Sequence, residues 1–274
     1  MDTAAAAPSV AIGRDDVRVT FNRIAETCDL PPMPAAAARA LRLARDPDTT
    51  TDELARVVLI DPALAARVLT MSRSVLYLRR TPPKSLREAI VTVGFQGLRR
   101  ILLAASARSA FSADDKVAEA LWAHSLATAL AADEIVKSGT GGDADPGDAF
   151  IAGLLHDIGK LIFHLADPRA YAQLGVCDSD KEGEFFGATH DLAGACVAEI
   201  WGLDDAVVQA ILGHHGGDHP TPLAALIGRA DLIATEIGYG SVPQGPVPGL
   251  AAGESPEIAE RVRTLFETER SLFD

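Results

Sequence analysis

Cysteine is nearly absent. Cys28, Cys177 and Cys196 are far apart and odd in number, which excludes a disulfide framework, and no C-x-x-C pair offers a thiolate zinc or redox site. Aromatics make up only 5% of the chain, and no β-branched runs flank hairpin-type turns, so no sheet is expected. Positive charge is short: the net charge of −13 argues against a protein whose main task is to bind nucleic acid or an anionic membrane. No run of about 18 uncharged apolar residues is present to span a bilayer. Residues 1–12, MDTAAAAPSVAI, lack the basic and apolar regions of a signal peptide. With no disulfides called for, the expectation is a cytoplasmic protein.

What the sequence does have is Ala, Leu, Arg and Glu, with 48% hydrophobic residues over 274 positions. That is enough for a real core, favours helix over sheet, and suits one large domain or two modest ones. Residues 1–20 read as a mobile tail. Pro34 opens a helix that the Asp46-Pro47-Asp48 breaker ends. Thr50 with Glu53 has capping-box spacing, and Ser85 with Glu88 repeats it. Asp61-Pro62 is an N-cap followed by proline at the first helical position, and Gly94 is the expected stop of the Ser85 helix. Further helices are expected over 96–111, 113–137, 148–165, 188–201, 204–214, 222–237 and 256–272. The reading is an all-α, two-part helical bundle: a front half over 21–112, a back half over 113–237, then a Gly/Pro linker and a C-terminal helix over 238–274.

The chemistry-bearing residues are few. His156-Asp157 sit in the apolar run GLLHDIGKL, and His214-His215 end the pattern AVVQAILGHH. Imidazole and carboxylate together suit borderline divalent ions such as Zn, Fe, Mn or Ni. One carboxylate can bridge two ions, an arrangement that clamps phosphate esters. On the residues alone, the more ordinary reading is that His156 and Asp157 cap or bridge neighbouring helices through hydrogen bonds. Arg79-Arg80 and Arg99-Arg100 read as solvated helix faces. His164 reads as an edge residue, His219 as a solvated loop histidine, and Trp122 and Trp201 as core packing. Ser125 has no support as a nucleophile.

LWAHSLATAL, FIAGLLHDIGKLIF and THDLAGACVAEIWGLDDAVVQAILGHH resemble the HD metal-hydrolase superfamily. LPPMPAAAARALRLARDPDTTTDELARVVLIDPALAARVLTMSRS and SLREAIVTVGFQGLRRILLA resemble the HDOD family, the HD-related output domain of bacterial signalling. The resemblance runs from about residue 21 to 237. It implies a first ion held by His124, His156, Asp157 and Asp231, and a second that shares Asp157 and takes His190, His214 and His215. It also implies a regulatory module without an established reaction, acting on a signalling partner or a nucleotide or phosphate ligand. The alternative it implies is a divalent-metal phosphohydrolase in which Asp157 and Lys160 would be catalytic. Related cyclic-di-GMP phosphodiesterases carry Gly-Tyr-Pro after their paired histidines. HHGGDHPTP has no tyrosine, which tells against that substrate. Lys160 fits the HDIGK form of the enzymes, although a solvent-facing position at the helix end is the expectation from the sequence.

Overall fold

The computed structural model describes residues 33–77, 82–109, 111, 115–174, 179–216, 220–240 and 256–273. The expected N-terminal tail, Arg79-Arg80, Cys28, Cys177, His219 and most of the 238–253 linker lie outside them. Among the described residues the architecture is all-α, with no strand.

The front of the chain folds as its capping signals dictate. Helix α1 (Ala35–Leu43) leads to α2 (Thr51–Val58), where Thr50 and Glu53 form a complete capping box. Helix α3 (Pro62–Met71) starts on the Asp61 carboxylate, which accepts from Ala63 and Leu64 N–H. Helix α4 (Leu86–Arg108) is capped by Ser85, while the Glu88 carboxylate reaches back to Lys84 N–H. At Gly94 the backbone turns to φ 72°, ψ 176° and then resumes as helix. The expected stop is therefore a kink inside α4, at a position that needs a positive φ.

The back of the chain is built around α5 (Lys116–Lys137), in which Trp122, Leu126, Ala129 and Leu130 are all fully buried. It packs against α6 (Pro146–Leu155), α7 (Ile158–Ala166), α12 (Pro222–Glu236) and α13 (Pro256–Phe273). Helix α10 (His190–Ile200) lies on α7 and on α11 (Asp205–Gly213). Two short helices, α8 (Pro168–Leu174) and α9 (Ser179–Phe186), fill a stretch to which the sequence reading assigned no element.

Two expectations need correction. The single helix expected over 148–165 is broken at His156-Asp157, where Asp157 leaves helical geometry at φ −104°, ψ 12°. Neither Gly nor Pro stands at the break. Just beyond the break the first turn of α7 presses onto α10: a Cβ at Gly159 would lie 2.0 Å from the His190 carbonyl oxygen. Arg99 and Arg100 are not a solvated face. Arg99 is buried and pairs with Asp204 at 2.9 Å, and Arg100 pairs with buried Asp133 at 2.8 Å while lying 5.1 Å over the Phe150 ring. Arg45 joins the same seam through Asp204 at 3.3 Å and the Gly202 carbonyl. These arginines bind α4 and the turn after α1 to the back half, and one continuous apolar core runs through both.

Two segments, Leu86–Arg108 and Pro146–Ala166, are by length and composition apolar enough to cross a membrane, although neither is an uncharged run: Arg99 and Arg100 lie in the first, Asp157 and Lys160 in the second. Their apolar windows are 61% and 89% buried inside the protein.

Candidate metal centre

Six helices bring their ends or faces to one place. His124 comes from the middle of α5, and His156 and Asp157 from the break between α6 and α7. His190 opens α10, His214 and His215 follow α11, and Asp231 lies midway along α12. His124, His156, Asp157, His190 and His214 are buried. His215 is exposed and the Asp231 side chain is 23% exposed, so these two mark the solvent side.

Asp157 is the centre of the cluster. Its Oδ2 lies 3.3 Å from His124 Nε2 and 3.6 Å from His156 Nε2. Its Oδ1 lies 3.4 Å from His190 Nε2 and 3.6 Å from His214 Nε2. Asp231 Oδ1 is 3.3 Å from His124 Nε2, and His215 Nε2 is 2.7 Å from His190 Nε2. One carboxylate thus stands between two donor groups, His124–His156 with Asp231 and His190–His214–His215.

The protonation of the imidazoles follows from their outer partners. His124 Nδ1 faces the Tyr239 carbonyl at 2.6 Å, His156 Nδ1 the Gly153 carbonyl at 2.8 Å, and His214 Nδ1 the Ile211 carbonyl at 2.6 Å. His190 Nδ1 faces the Glu182 carboxylate at 2.8 Å. A carbonyl or carboxylate oxygen only accepts, so each Nδ1 donates and each ring turns its Nε2 inward, toward the cluster. Outer partners of this kind fix the ring angle of metal-ligating histidines.

The electrostatics fit the same picture. Burial alone would raise the Asp157 pKa, but the Lys160 ammonium and the His156, His124 and His214 rings around the carboxylate hold it well below the usual range. Burial keeps His156 well below an ordinary histidine, so that ring is neutral. Although His215 is exposed as a residue, its inward ring is partly desolvated, and this, with His214 and His190 beside it, pushes its pKa down to about 4. Burial would lower His124 too, but its Asp157 hydrogen bond and the Asp231 and Asp157 charges outweigh this and raise it. Asp157 Oδ1 and His214 Nε2 are both buried and have no hydrogen-bond partner within the protein. Buried polar atoms are costly to leave so. Two of them facing each other at 3.6 Å, one a lone-pair nitrogen and the other a carboxylate oxygen, fit a divalent cation.

The sequence offers Lys160 as a catalytic candidate but expects it at a solvent-facing helix end, and it does not mark Glu182 at all. Lys160 is not at a solvent-facing helix end: it is buried, and its Nζ lies 2.6 Å from Asp157 Oδ2. Glu182 stands among acidic and polar neighbours in SDKEGEFF, where nothing in the composition marks it out, yet it is 1% exposed and holds His190. His164 bonds Asp115 at 2.6 Å, away from the cluster, and Trp122 is core.

The HDOD domain matches residues 30–216. The chain belongs to the HDOD family. A crystal structure of an HDOD domain protein of unknown function from Geobacter sulfurreducens is similar at 24% identity, with TM-score 0.69 over 93% of this chain and 95% of that one. A Shewanella amazonensis protein described provisionally as a metal-dependent phosphohydrolase is similar at 19% identity, TM-score 0.63, over 91% and 97%. A Marinobacter aquaeolei protein described provisionally as a signal transduction protein is similar at 22%, TM-score 0.68, over 96% and 66%. At these identities the likeness is one of fold. An uncharacterized protein of Treponema pallidum is 24% identical over 258 residues, 90% of this chain but half of its own length. The HDOD chain thus spans about half of that relative.

Proposed function

We propose that this HDOD protein is a cytoplasmic signalling module that holds one or two divalent transition-metal ions and passes a state to a protein partner or small ligand. The observation that carries this reading is the deep burial of the cluster's inner donors. His124, His156 and Asp157 are 0%, 0% and 2% exposed and belong to three different helix segments. An ion held there would tie α5, α6, α7, α10, α11 and α12 together, so occupancy would bear on how the helices sit. Deep burial of the donors suits holding and sensing better than work on a bulky substrate. The front half, α1 to α4, would supply surface for the partner.

Phosphohydrolysis is the second reading, and Lys160 favours it. Its ammonium group stands beside Asp157, where it could steady charge on a phosphate oxygen, and His215 and Asp231 open the same cluster to solvent. A divalent ion supplies Lewis acidity and lowers the pKa of water.

Elemental analysis of the untagged protein beside Asp157→Ala tests the metal. One or two equivalents in the wild type, lost in the variant, support the site; an empty wild type overturns it. The loaded protein is then assayed on phosphomonoesters and phosphodiesters. No turnover favours the module, and turnover abolished by Asp157→Ala favours the hydrolase.

A further inference from the structure

We infer that Glu182 is a positioning residue for His190, and that it sets the cation affinity of the His190–His214–His215 side of the cluster separately from the His124–His156–Asp231 side. This rests on the metal-holding reading above. A carboxylate buried to 1% exposure in α9 is expensive unless strong hydrogen bonds compensate it. Here both do. Glu182 Oε2 accepts the His190 backbone N–H at 2.8 Å, and both carboxylate oxygens lie 2.8 Å from His190 Nδ1. The other acids on α9, Asp180 and Glu184, are exposed.

The asymmetry is chemical. His124, His156 and His214 give their Nδ1–H to neutral main-chain carbonyls, whereas His190 gives its own to an anion. A carboxylate partner fixes the tautomer and ring angle and makes the opposite nitrogen a stronger donor. That nitrogen, His190 Nε2, is 3.4 Å from Asp157 Oδ1 and 2.7 Å from His215 Nε2. The platform is firm: Phe186, one turn along α9, stacks on Phe163 of α7 with centroids 4.4 Å apart and planes 4° apart. Glu182 therefore orients His190 from a helix anchored on the HD segment itself.

The test is a Co²⁺ titration of the full chain followed by visible absorption, with elemental analysis of the bound metal and circular dichroism as a check of fold. Wild type, Glu182→Gln and Asp231→Asn are compared. Glu182→Gln keeps the shape and removes the charge. It should weaken one Co²⁺ equivalent by about tenfold or more and alter its absorption band, while Asp231→Asn weakens the other. A single wild-type equivalent should weaken in Glu182→Gln. Unchanged affinities in a folded Glu182→Gln protein, or weakening in Asp231→Asn alone, overturn the inference. Should Glu182→Gln fail to fold, Glu182→Asp, which retracts the carboxylate, must show the same selective loss, and wild-type affinity there overturns it. A wild type that takes up no Co²⁺ removes the metal-holding reading, and this inference with it.

Discussion

Lys160 Nζ lies 2.6 Å from Asp157 Oδ2, one helical turn away, and the two side chains are only 4% and 1% exposed. The ammonium group is thus the internal counter-ion of the carboxylate at the centre of the cluster. Breaking a buried pair from one side strands the other charge. In metal-free protein, Asp157→Ala should cost about 3–5 kcal/mol, and adding Lys160→Met should recover a substantial part of it. Urea unfolding of the two single variants and the double gives the coupling directly. A double variant whose loss equals the sum of the two single losses would show that the pair is not coupled.

Gly159 is where α7 meets α10. An alanine there would drive its Cβ into the His190 carbonyl, which is backbone and cannot rotate away. Gly159→Ala should therefore push the two helices apart, lower the melting temperature and loosen metal at His190, although the substitution favours helix by propensity. A melting temperature raised or unchanged would contradict this close approach.

The C-terminal helix reaches the metal centre indirectly. Phe266 of α13 is 1% exposed and packs on Tyr239 with centroids 4.0 Å apart, and the Tyr239 carbonyl receives His124 Nδ1–H at 2.6 Å. Phe266→Ala should destabilise the protein by about 3–5 kcal/mol and reduce metal retention without touching a donor. Denaturation and metal content, measured on the same preparation, check both parts. Retention at wild-type level in a destabilised variant would confine Phe266 to packing.

Acid sensitivity has a component outside the cluster. Burial would raise the Asp115 pKa, but its bonds with His164 and with Ala118 and Val117 N–H outweigh this and lower it. A lowered carboxylate pKa favours folding above the unfolded value of about 3.9, and that contribution is lost as pH falls through the folded value. Partial exposure screens the effect to about 1 kcal/mol or less. The stability gap between wild type and Asp115→Asn should be constant at neutral pH and close below about pH 4. A gap that persists under acid would point to shape and not to charge.

Local chemistry made much of the fold legible in advance. Thr50, Asp61 and Ser85 cap the helices their sequences promise, because a side-chain oxygen next to a helix start needs no distant partner. The membership in the HDOD family was likewise readable from motifs, and the structure gathers the other six residues proposed as ligands around Asp157. What stayed hidden depended on distance in the chain. Arg99 looks like a solvated charge until Asp204, 105 residues later, is folded against it. Glu182 looks like one acid among several until α9 turns it toward His190.

The sequence by itself determined the helical class, the capped starts of α2, α3 and α4 and the inventory of donors, since capping, periodicity and residue chemistry act over a turn or two. Only the tertiary structure decided the break at His156-Asp157, the burial of Lys160 against Asp157 and the choice of Glu182 as partner to His190. The last two follow from helices being pressed together, as α7 is on α10 at Gly159, and from the low polarity that results. In that setting a charge must find its opposite and a lone pair must find a donor or an ion.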